Sequence, residues 1–162
     1  MRIAVVTTSY PTFDGDPSGH FVEAEVSDLE HAGHDVRVIR PRPGGAFGWP
    51  GAATRIREQP LRGAEAATWV LGAALDVRRW APDRIIAHWC VPSAFPIAIA
   101  ARAELEIVSH GGDVRLLAGM PSPRARAAIV RTLTDRATRW RFVSEALLAS
   151  LASLVARELR RE

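Results

Sequence analysis

The chain has 162 residues, of which 48% are hydrophobic and 24% charged, enough for one globular domain with its own core and too apolar for a disordered protein. Its single cysteine, Cys90, excludes an intrachain disulfide and a metal site built from cysteines. All 21 basic residues are arginine, so the lysine of a Walker P-loop is missing and a P-loop NTPase is excluded.

Short runs of β-branched and aliphatic residues, bounded by turn residues, predict the strands. The first covers residues 2–8, and the second, residues 36–39, ends before a stretch rich in proline and glycine. Further strands are predicted over residues 84–88, 105–109 and 140–143, with a short edge strand over residues 54–58.

Longer stretches with apolar residues at helical spacing lie between these strands. The first begins at Phe21 after a turn-rich loop, and Gly33 is expected to end it as a C-cap. Further helices are predicted over residues 64–80, 92–102, 121–138 and 145–160. The alternation favours an α/β fold, a Rossmann-like doubly wound parallel sheet of about six strands with helices on both faces. Residues 1–162 are expected to form it as a single domain.

In a doubly wound sheet, ligands bind beyond the carboxyl ends of the strands, near the point where the strand order reverses. The unusual polar residues of this chain concentrate in the segments that follow predicted strands, and these segments hold three of its five histidines. We therefore expect the functional site among residues 9–20, 40–43, 88–89, 109–113 and 144–145.

The loop after the first predicted strand reaches its helix through Ser18-Gly19-His20. Glycine lets backbone N–H groups approach a phosphate, and a helix N-terminus favours negative charge, although Gly19 also suits a plain flexible turn. The spacing of Gly15 and Gly19 is not the dinucleotide fingerprint, and the second strand ends in Arg40 where a nicotinamide site uses an acidic residue. A nicotinamide-dependent enzyme is therefore disfavoured.

The stretch SHGGDV, residues 109–114, directly follows an apolar strand. Its two glycines give the turn freedom in φ, and the imidazole of His110 can donate to a sugar or phosphate oxygen or exchange a proton near neutral pH. His88 occupies the same position on the neighbouring strand. We favour a functional role for both over a structural one, whereas His31 and His34 flank a helix end and need no function.

Two other kinds of site do not fit these residues. His88, His110 and Asp113 are not completed to a metal site by a helical histidine pair or a carboxylate cluster, so no metal is expected. Ser109 is not a hydrolase nucleophile, because the sequence has no G-x-S-x-G elbow.

Four segments give the chain a resemblance to the N-terminal domain of family 4 glycosyltransferases, which have the two-domain GT-B architecture. They are SYPTFDGDPSGHFVEAEVSDLEHAGHDVRVIRP, PDRIIAHWCVPSAFPIAIAAR, IVSHGGDVRLL and RFVSEALLASL, and together they extend over the chain from end to end. The HGGDV turn and the start G-H-F-V, followed by L and by G-H-x-V, are specific in combination.

The resemblance implies retaining transfer of a sugar from a nucleotide-sugar donor, with neither a metal nor another cofactor. It places His110 against the transferred sugar as the catalytic residue and Gly19 at the donor phosphates, although many relatives have paired glycines where this chain has Ser18-Gly19. The other donor-binding positions it implies are Gly111, Gly112, Asp113, Ser144 and Glu145. The acceptor-binding positions it implies are Tyr10, His20, Arg40, His88 and Trp89, with the segment from Arg40 to Trp49.

In the family, a second Rossmann-like domain binds the nucleotide through a glutamate pair spaced E-x-x-x-x-x-x-x-E and nearby basic residues. This sequence ends at Glu162, about where the connection to such a domain would begin. Because catalysis needs groups from both walls of a cleft, the resemblance implies a C-terminal partner domain, in cis or as a separate chain, and no sugar transfer without it. A fragment or half of a split enzyme is favoured over a remnant kept for binding.

The arginine-only basic composition gives a pI of about 10.3 with a net charge of only +3. We interpret it mainly as GC-rich codon usage, and the alternative is an anionic partner such as a phosphate, nucleic acid or lipid headgroup. The stretch PRARAAIVRTLTDRATRWRF is either a solvated helix face or a surface that lies on an anionic bilayer, through Arg124, Arg126, Arg131, Arg136 and Arg139. Scattered arginines without an aromatic–basic cluster disfavour nucleic-acid binding.

The competing class is therefore a non-catalytic binding module, which docks on a partner subunit or an anionic membrane. We expect no signal peptide and no membrane span, because the apolar runs are too short. The single cysteine fits a reducing, cytoplasmic setting, with peripheral contact at the inner membrane face as the alternative. The tryptophans are either a sugar-stacking platform or, as we favour, core and interface residues: Trp49, Trp69, Trp80, Trp89 and Trp140.

Overall fold

Five parallel strands form the sheet in the computed structural model, which describes residues 1–47 and 52–159, without the side chains of residues 53 and 157–159. The sheet order is β2-β1-β3-β4-β5, and every neighbouring pair is parallel. All carboxyl ends therefore meet at one edge, and the order reverses between β1 and β3, where a ligand crevice is expected. The strands are β1 (Arg2–Val6), β2 (Asp35–Ile39), β3 (Arg84–His88), β4 (Glu104–Ser109) and β5 (Ala137–Phe142).

Helices occupy the connections between the strands. They are α1 (His20–His31), α2 (Ala52–Glu58), α3 (Leu61–Trp80), α4 (Ile97–Ala100), α5 (Gly112–Ala118), α6 (Pro123–Arg136) and α7 (Glu145–Leu159). Gly33 has a φ of 82°, and its N–H and that of His34 donate back to carbonyls in the last turn of α1 at 2.9 and 3.1 Å. The predicted C-cap is therefore confirmed, in the form of a Schellman motif.

Alternate residues of β1 face two separate hydrophobic clusters, because successive side chains of a strand point to opposite sides of the sheet. Ile3 lies in the smaller cluster, to which α1 contributes Val22 and Val26. Ala4 lies in the larger cluster, to which α3 through α7 all contribute buried residues. Helices thus pack on both faces, and the predicted Rossmann-like α/β fold is confirmed.

The predicted edge strand over residues 54–58 is wrong, since this segment belongs to α2. The reason is local, because Ala52, Arg55, Arg57 and Glu58 are good helix formers and few β-branched residues oppose them. The sheet in the described part of the chain therefore has five strands, where about six were expected.

Other elements also differ from the prediction. The helix predicted over residues 92–102 is reduced to α4, with an irregular turn over Cys90–Ala94 before it, because Pro92 and Pro96 interrupt the helical hydrogen bonds. The strand predicted to begin at Trp140 begins at Ala137 instead, since its pairing with β4 takes residues that local preference assigns to a helix. The helix α5 was not predicted at all.

Of the helices in the described ranges, none combines the length and the apolar character that crossing a membrane requires.

Candidate active site

Three segments that are distant in sequence meet at the carboxyl edge of the sheet. The ring of His110, just after β4, lies 4.6 Å from the ring of Phe21 in the first turn of α1, measured between centroids. The corresponding distances from His110 are 4.7 Å to Trp89 and 5.3 Å to His88, which ends β3. His110 is half-buried among these rings. His110 therefore lies against the first turn of α1, which follows the loop after β1.

His88 and His110 contact each other through their ring nitrogens. Nδ1 of His88 lies 3.1 Å from Nε2 of His110, which is a hydrogen bond. His88 is 1% exposed. Burial, and after it the nearby imidazole of His88, lower the pKa of His110 to about 4. His110 is therefore a neutral imidazole at physiological pH, able to accept at one nitrogen while it donates at the other.

A carboxylate on α1 continues this arrangement beyond His88. Oε2 of Glu25 lies 3.2 Å from Nε2 of His88, an ion-pair distance without the alignment of a good hydrogen bond. Oε1 of Glu25 accepts from Nη2 of Arg141 at 2.6 Å. Burial raises the pKa of Glu25, but the neighbouring His88 and Arg141 outweigh it and hold the pKa at about 2. Glu25 is thus ionised at neutral pH.

This row of charged side chains ends at a second, almost fully buried carboxylate. Glu106 on β4 is 2% exposed and is paired with Arg141 of β5 and with Arg84 of β3. Both partners stand on neighbouring strands at positions that face α1, so the sheet itself brings the three side chains together. The positions of Glu25 and Arg141 are fixed by this network.

Sequence reasoning missed Glu25, Glu106 and Arg141. A signal existed for Glu106, because a carboxylate inside an otherwise apolar buried strand needs a partner. Glu25 stands four residues after Phe21, and therefore on the same face of α1. Arg141 gave no signal, because no local pattern shows that β5 pairs with β4, the strand that carries Glu106.

Asp113, predicted as a donor-binding residue, has its carboxylate beneath the turn after β4. It is 1% exposed and accepts three backbone N–H groups: those of Gly111 at 3.0 Å, His110 at 3.3 Å and Cys90 at 2.8 Å. These contacts join the ends of β3 and β4, so Asp113 holds the two histidine-bearing segments in register. Gly112, also predicted for the donor, is exposed and begins α5.

Gly111 and the start of α7 lie side by side. A Cβ on Gly111 would stand 3.8 Å from Cδ1 of Leu147, in the first turns of that helix. Ser144 caps α7, its Oγ accepting from the N–H of Leu147 at 3.3 Å, and Glu145 is exposed in the first turn. The donor-binding positions predicted at Gly111, Ser144 and Glu145 are therefore neighbours.

Gly19 is required by a close backbone approach. It precedes α1 with a φ of 73°, and a Cβ there would stand 2.4 Å from the carbonyl oxygen of Ser9. The loop between them is organised by Asp16, which accepts from the N–H groups of Ser18 and Thr12 and from the Thr12 hydroxyl. These bonds lower the pKa of Asp16 to about 2. These contacts fix the position of the N-terminus of α1, whose first turn contains Phe21.

Most predicted acceptor positions surround a cleft of about 1300 Å³ at the same edge of the sheet. Tyr10 and Trp89 line it, and the guanidinium of Arg40 lies 4.9 Å over the Tyr10 ring while donating to the carbonyl of Pro11 at 2.6 Å. His20 is exposed on the first turn of α1, with Nδ1 2.9 Å from the carbonyl of Pro17. Trp49 lies outside the described residues.

Trp89 alone among the four described tryptophans lines the cleft. Trp69, Trp80 and Trp140 are partly buried against the larger hydrophobic cluster, which supports the interpretation of these three as core residues. Within the described ranges, no group of three His, Cys, Asp or Glu side chains is arranged to hold a metal ion.

Some arginines of the stretch around α6 form hydrogen bonds within the protein. Arg136 donates to the carbonyls of Ala98 and Ala101 at 3.0 and 2.9 Å. Arg126 donates to carbonyls at the end of α5, and Arg139 lies on β5. Arg126 and Arg136 therefore hold α6 against its neighbours.

Comparison with known proteins identifies one family for this chain. No curated protein matches the chain. The model of one family, described as glycosyl transferase 4-like domain, matches residues 18–162, which include α1, both site histidines and the start of α7. The chain belongs to the glycosyl transferase 4-like domain family.

Proposed function

We propose that this domain forms the acceptor-side wall of a retaining glycosyltransferase of GT-B architecture, which transfers a sugar from a nucleotide-sugar donor. The observation that carries the proposal is the contact of the half-buried His110 with Phe21 at the carboxyl edge of the sheet. It places a neutral imidazole beside the N-terminus of a 12-residue helix. The family match supports the general activity.

Each group has a role that its chemistry suits. The N-terminus of α1, with Gly19 before it, favours the negative charge of donor phosphates through its N–H groups and the helix dipole. His110 hydrogen-bonds a hydroxyl of the transferred sugar and keeps the anomeric carbon towards the acceptor cleft. His88 and Glu25 are positioning residues, because they act on the substrate only through His110.

The second wall of the active site is proposed to be a nucleotide-binding C-terminal domain, in cis or in a separate chain. Groups at one sheet edge reach the nucleotide-sugar from one side only. Stabilising the transition state needs hydrogen-bond donors preorganised around the departing nucleotide. We therefore expect the 162-residue chain to be inactive in transfer when it is alone.

The test compares the chain alone with the chain assembled with its nucleotide-binding domain. Radiolabelled nucleotide-sugars are offered with a panel of acceptors, and product is expected only from the assembled enzyme. His110→Ala is expected to lower kcat by at least about a hundredfold. His31→Ala, at the far end of α1, is the matched control and should keep full activity.

Two results would overturn the proposal. One is robust sugar transfer by the isolated chain, and the other is an assembled enzyme whose activity does not depend on His110. If the assembled protein binds its ligands yet never transfers sugar from any donor, the non-catalytic binding module is the better description.

A further inference from the structure

The large cleft beside His110 carries a concentration of positive charge. Its lining belongs to the loops after β1 and β2, to α2 and α3, to the turn after β3 and to α5. Five arginines line it, which are Arg40, Arg42, Arg55, Arg57 and Arg115, whereas the whole chain has a net charge of only +3.

The cleft holds few carboxylates to neutralise these arginines. Asp16 and Asp113 are the two among its described lining residues. Both are engaged elsewhere, Asp16 by Thr12 and Ser18 and Asp113 by three backbone N–H groups. Among the residues that the structure describes, none of the five arginines is in an ion pair. The positive charge therefore lacks an internal counterpart.

Two of the five guanidinium groups are held in place by neutral partners. One N–H of Arg40 donates to the carbonyl of Pro11, and one of Arg55 donates to the carbonyl of Gly45, each at 2.6 Å. An arginine has five N–H donors, so each side chain is oriented while it keeps donors for a ligand. Preorganised guanidinium groups lose less conformational entropy when they bind an anion.

The rest of the cleft is suited to an apolar or ring-shaped body. Phe13 is 66% exposed, and Leu116 is 49% exposed. Phe47 packs against Trp69 with 4.9 Å between ring centroids, and Ile56 of α2 also lines the cleft. The cleft thus offers both guanidinium groups and exposed apolar surface to one ligand.

We infer that the acceptor of this enzyme carries a phosphate ester, bound by the cleft arginines, on a body that lies against the apolar lining. This inference rests on the proposed function, because only a sugar transfer has an acceptor. A phosphomonoester, with up to two negative charges and three acceptor oxygens, matches several guanidinium forks better than a single carboxylate does. Trp89 lines the cleft and contacts His110, so the bound acceptor lies next to the imidazole.

The chemistry fits two sources, a lipid phosphate and a soluble sugar or polyol phosphate. Binding to the isolated chain is measured by calorimetry with octyl phosphate, glycerol 3-phosphate and octyl glucoside, all below their micelle-forming concentrations. We expect octyl phosphate to bind at least tenfold more tightly than octyl glucoside. Binding of octyl phosphate alone identifies a lipid phosphate, and equal binding of glycerol 3-phosphate identifies a soluble one.

The variant for this test changes Arg42→Gln, Arg57→Gln and Arg115→Gln together, because these exposed side chains carry none of the hydrogen bonds described above. It is expected to weaken octyl phosphate binding by about tenfold or more and to leave the circular dichroism spectrum unchanged. The matched control removes the same charge outside the cleft, by Arg79→Gln, Arg102→Gln and Arg124→Gln, and should bind within twofold of the parent.

Equal affinity for octyl phosphate and octyl glucoside would overturn the inference, and so would equal losses in the two triple variants. The binding measurement needs no sugar transfer, so its failure can be distinguished from a failure of the proposed function. Phosphate binding without sugar transfer by the assembled enzyme would contradict the proposed function and leave this inference standing. Sugar transfer to a neutral acceptor, with no phosphate binding, would contradict this inference and leave the proposed function standing.

Discussion

Nδ1 of the buried His88 lies 3.1 Å from Nε2 of the half-buried His110, so the two rings share one hydrogen. The carboxylate of Glu25 beside Nε2 of His88 favours an N–H at that nitrogen. A neutral His88 then has a bare Nδ1, and His110 must donate its Nε2–H to it, which leaves Nδ1 of His110 as an acceptor for a substrate hydroxyl.

The first prediction concerns the pH dependence of stability. The pKa of His110 is about 4 in the folded state and about 6.5 when unfolded. Between these values the unfolded chain binds more protons, so the contribution of His110 is complete above pH 6.5 and is lost as the pH falls towards 4. The slope is at most about 1.4 kcal/mol per pH unit, and less in practice because the ring is half-exposed to screening solvent.

Urea denaturation of the parent, His110→Gln and His31→Gln between pH 4 and 7.5 measures this slope. We expect a shallower pH dependence in His110→Gln, whereas His31→Gln should follow the parent. Identical slopes in the parent and His110→Gln would contradict the lowered pKa.

The second prediction concerns Glu25. Its pKa of about 2 lies below the ordinary 4.5, so it stabilises the fold fully above pH 4.5 and progressively less as the pH falls towards 2. Glu25→Gln removes a charged partner of Arg141 and His88 and should cost about 1–3 kcal/mol at pH 7. The difference from the parent should shrink at pH 3. The exposed Glu30 on the same helix offers the control, since Glu30→Gln should change the unfolding free energy by less than about 0.5 kcal/mol.

The third prediction concerns the two glycines of the first loop. Gly19→Ala should cost about 2–4 kcal/mol of unfolding free energy, because a left-handed residue acquires a Cβ that collides with the Ser9 carbonyl. Gly15 has a similar φ of 78° with open space around it, so Gly15→Ala should cost only about 1–2 kcal/mol. Denaturant titration of the pair isolates the collision, and equal costs would argue against the close approach.

The fourth prediction concerns Asp113. In Asp113→Asn one carboxylate oxygen becomes an NH₂ group facing backbone N–H donors, and the expected loss is about 2–4 kcal/mol. The amide hydrogen of Cys90 should also exchange faster, which a general loss of packing elsewhere would not single out. Asp76→Asn, exposed on α3, is the neutral comparison. A stable Asp113→Asn protein with a protected Cys90 amide would refute the tie between β3 and β4.

The alternation of strands and helices could be predicted because it depends on local pattern, and the same pattern predicted that the candidate residues gather at the carboxyl edge of the sheet. Gly33 ended α1 as its conformational freedom indicated, and His110 lay where a residue after a strand must lie. Residues 54–58 and the start of β5 were misassigned because short segments have weak preferences that tertiary pairing overrides. The roles of Gly19, His110 and the acceptor residues stay predictions.

Local order along the chain was determined by the sequence alone, since the spacing of apolar residues and the turn residues between them act over a few positions. The partners of the site were decided by the tertiary structure. Glu25 and Arg141 are 116 positions apart. They meet only because α1 shares a hydrophobic cluster with Ile86 of β3 and Val108 of β4, while β5 pairs with β4. Which charges converge depends on strand order, and strand order is a property of the packed chain that no short stretch of residues contains.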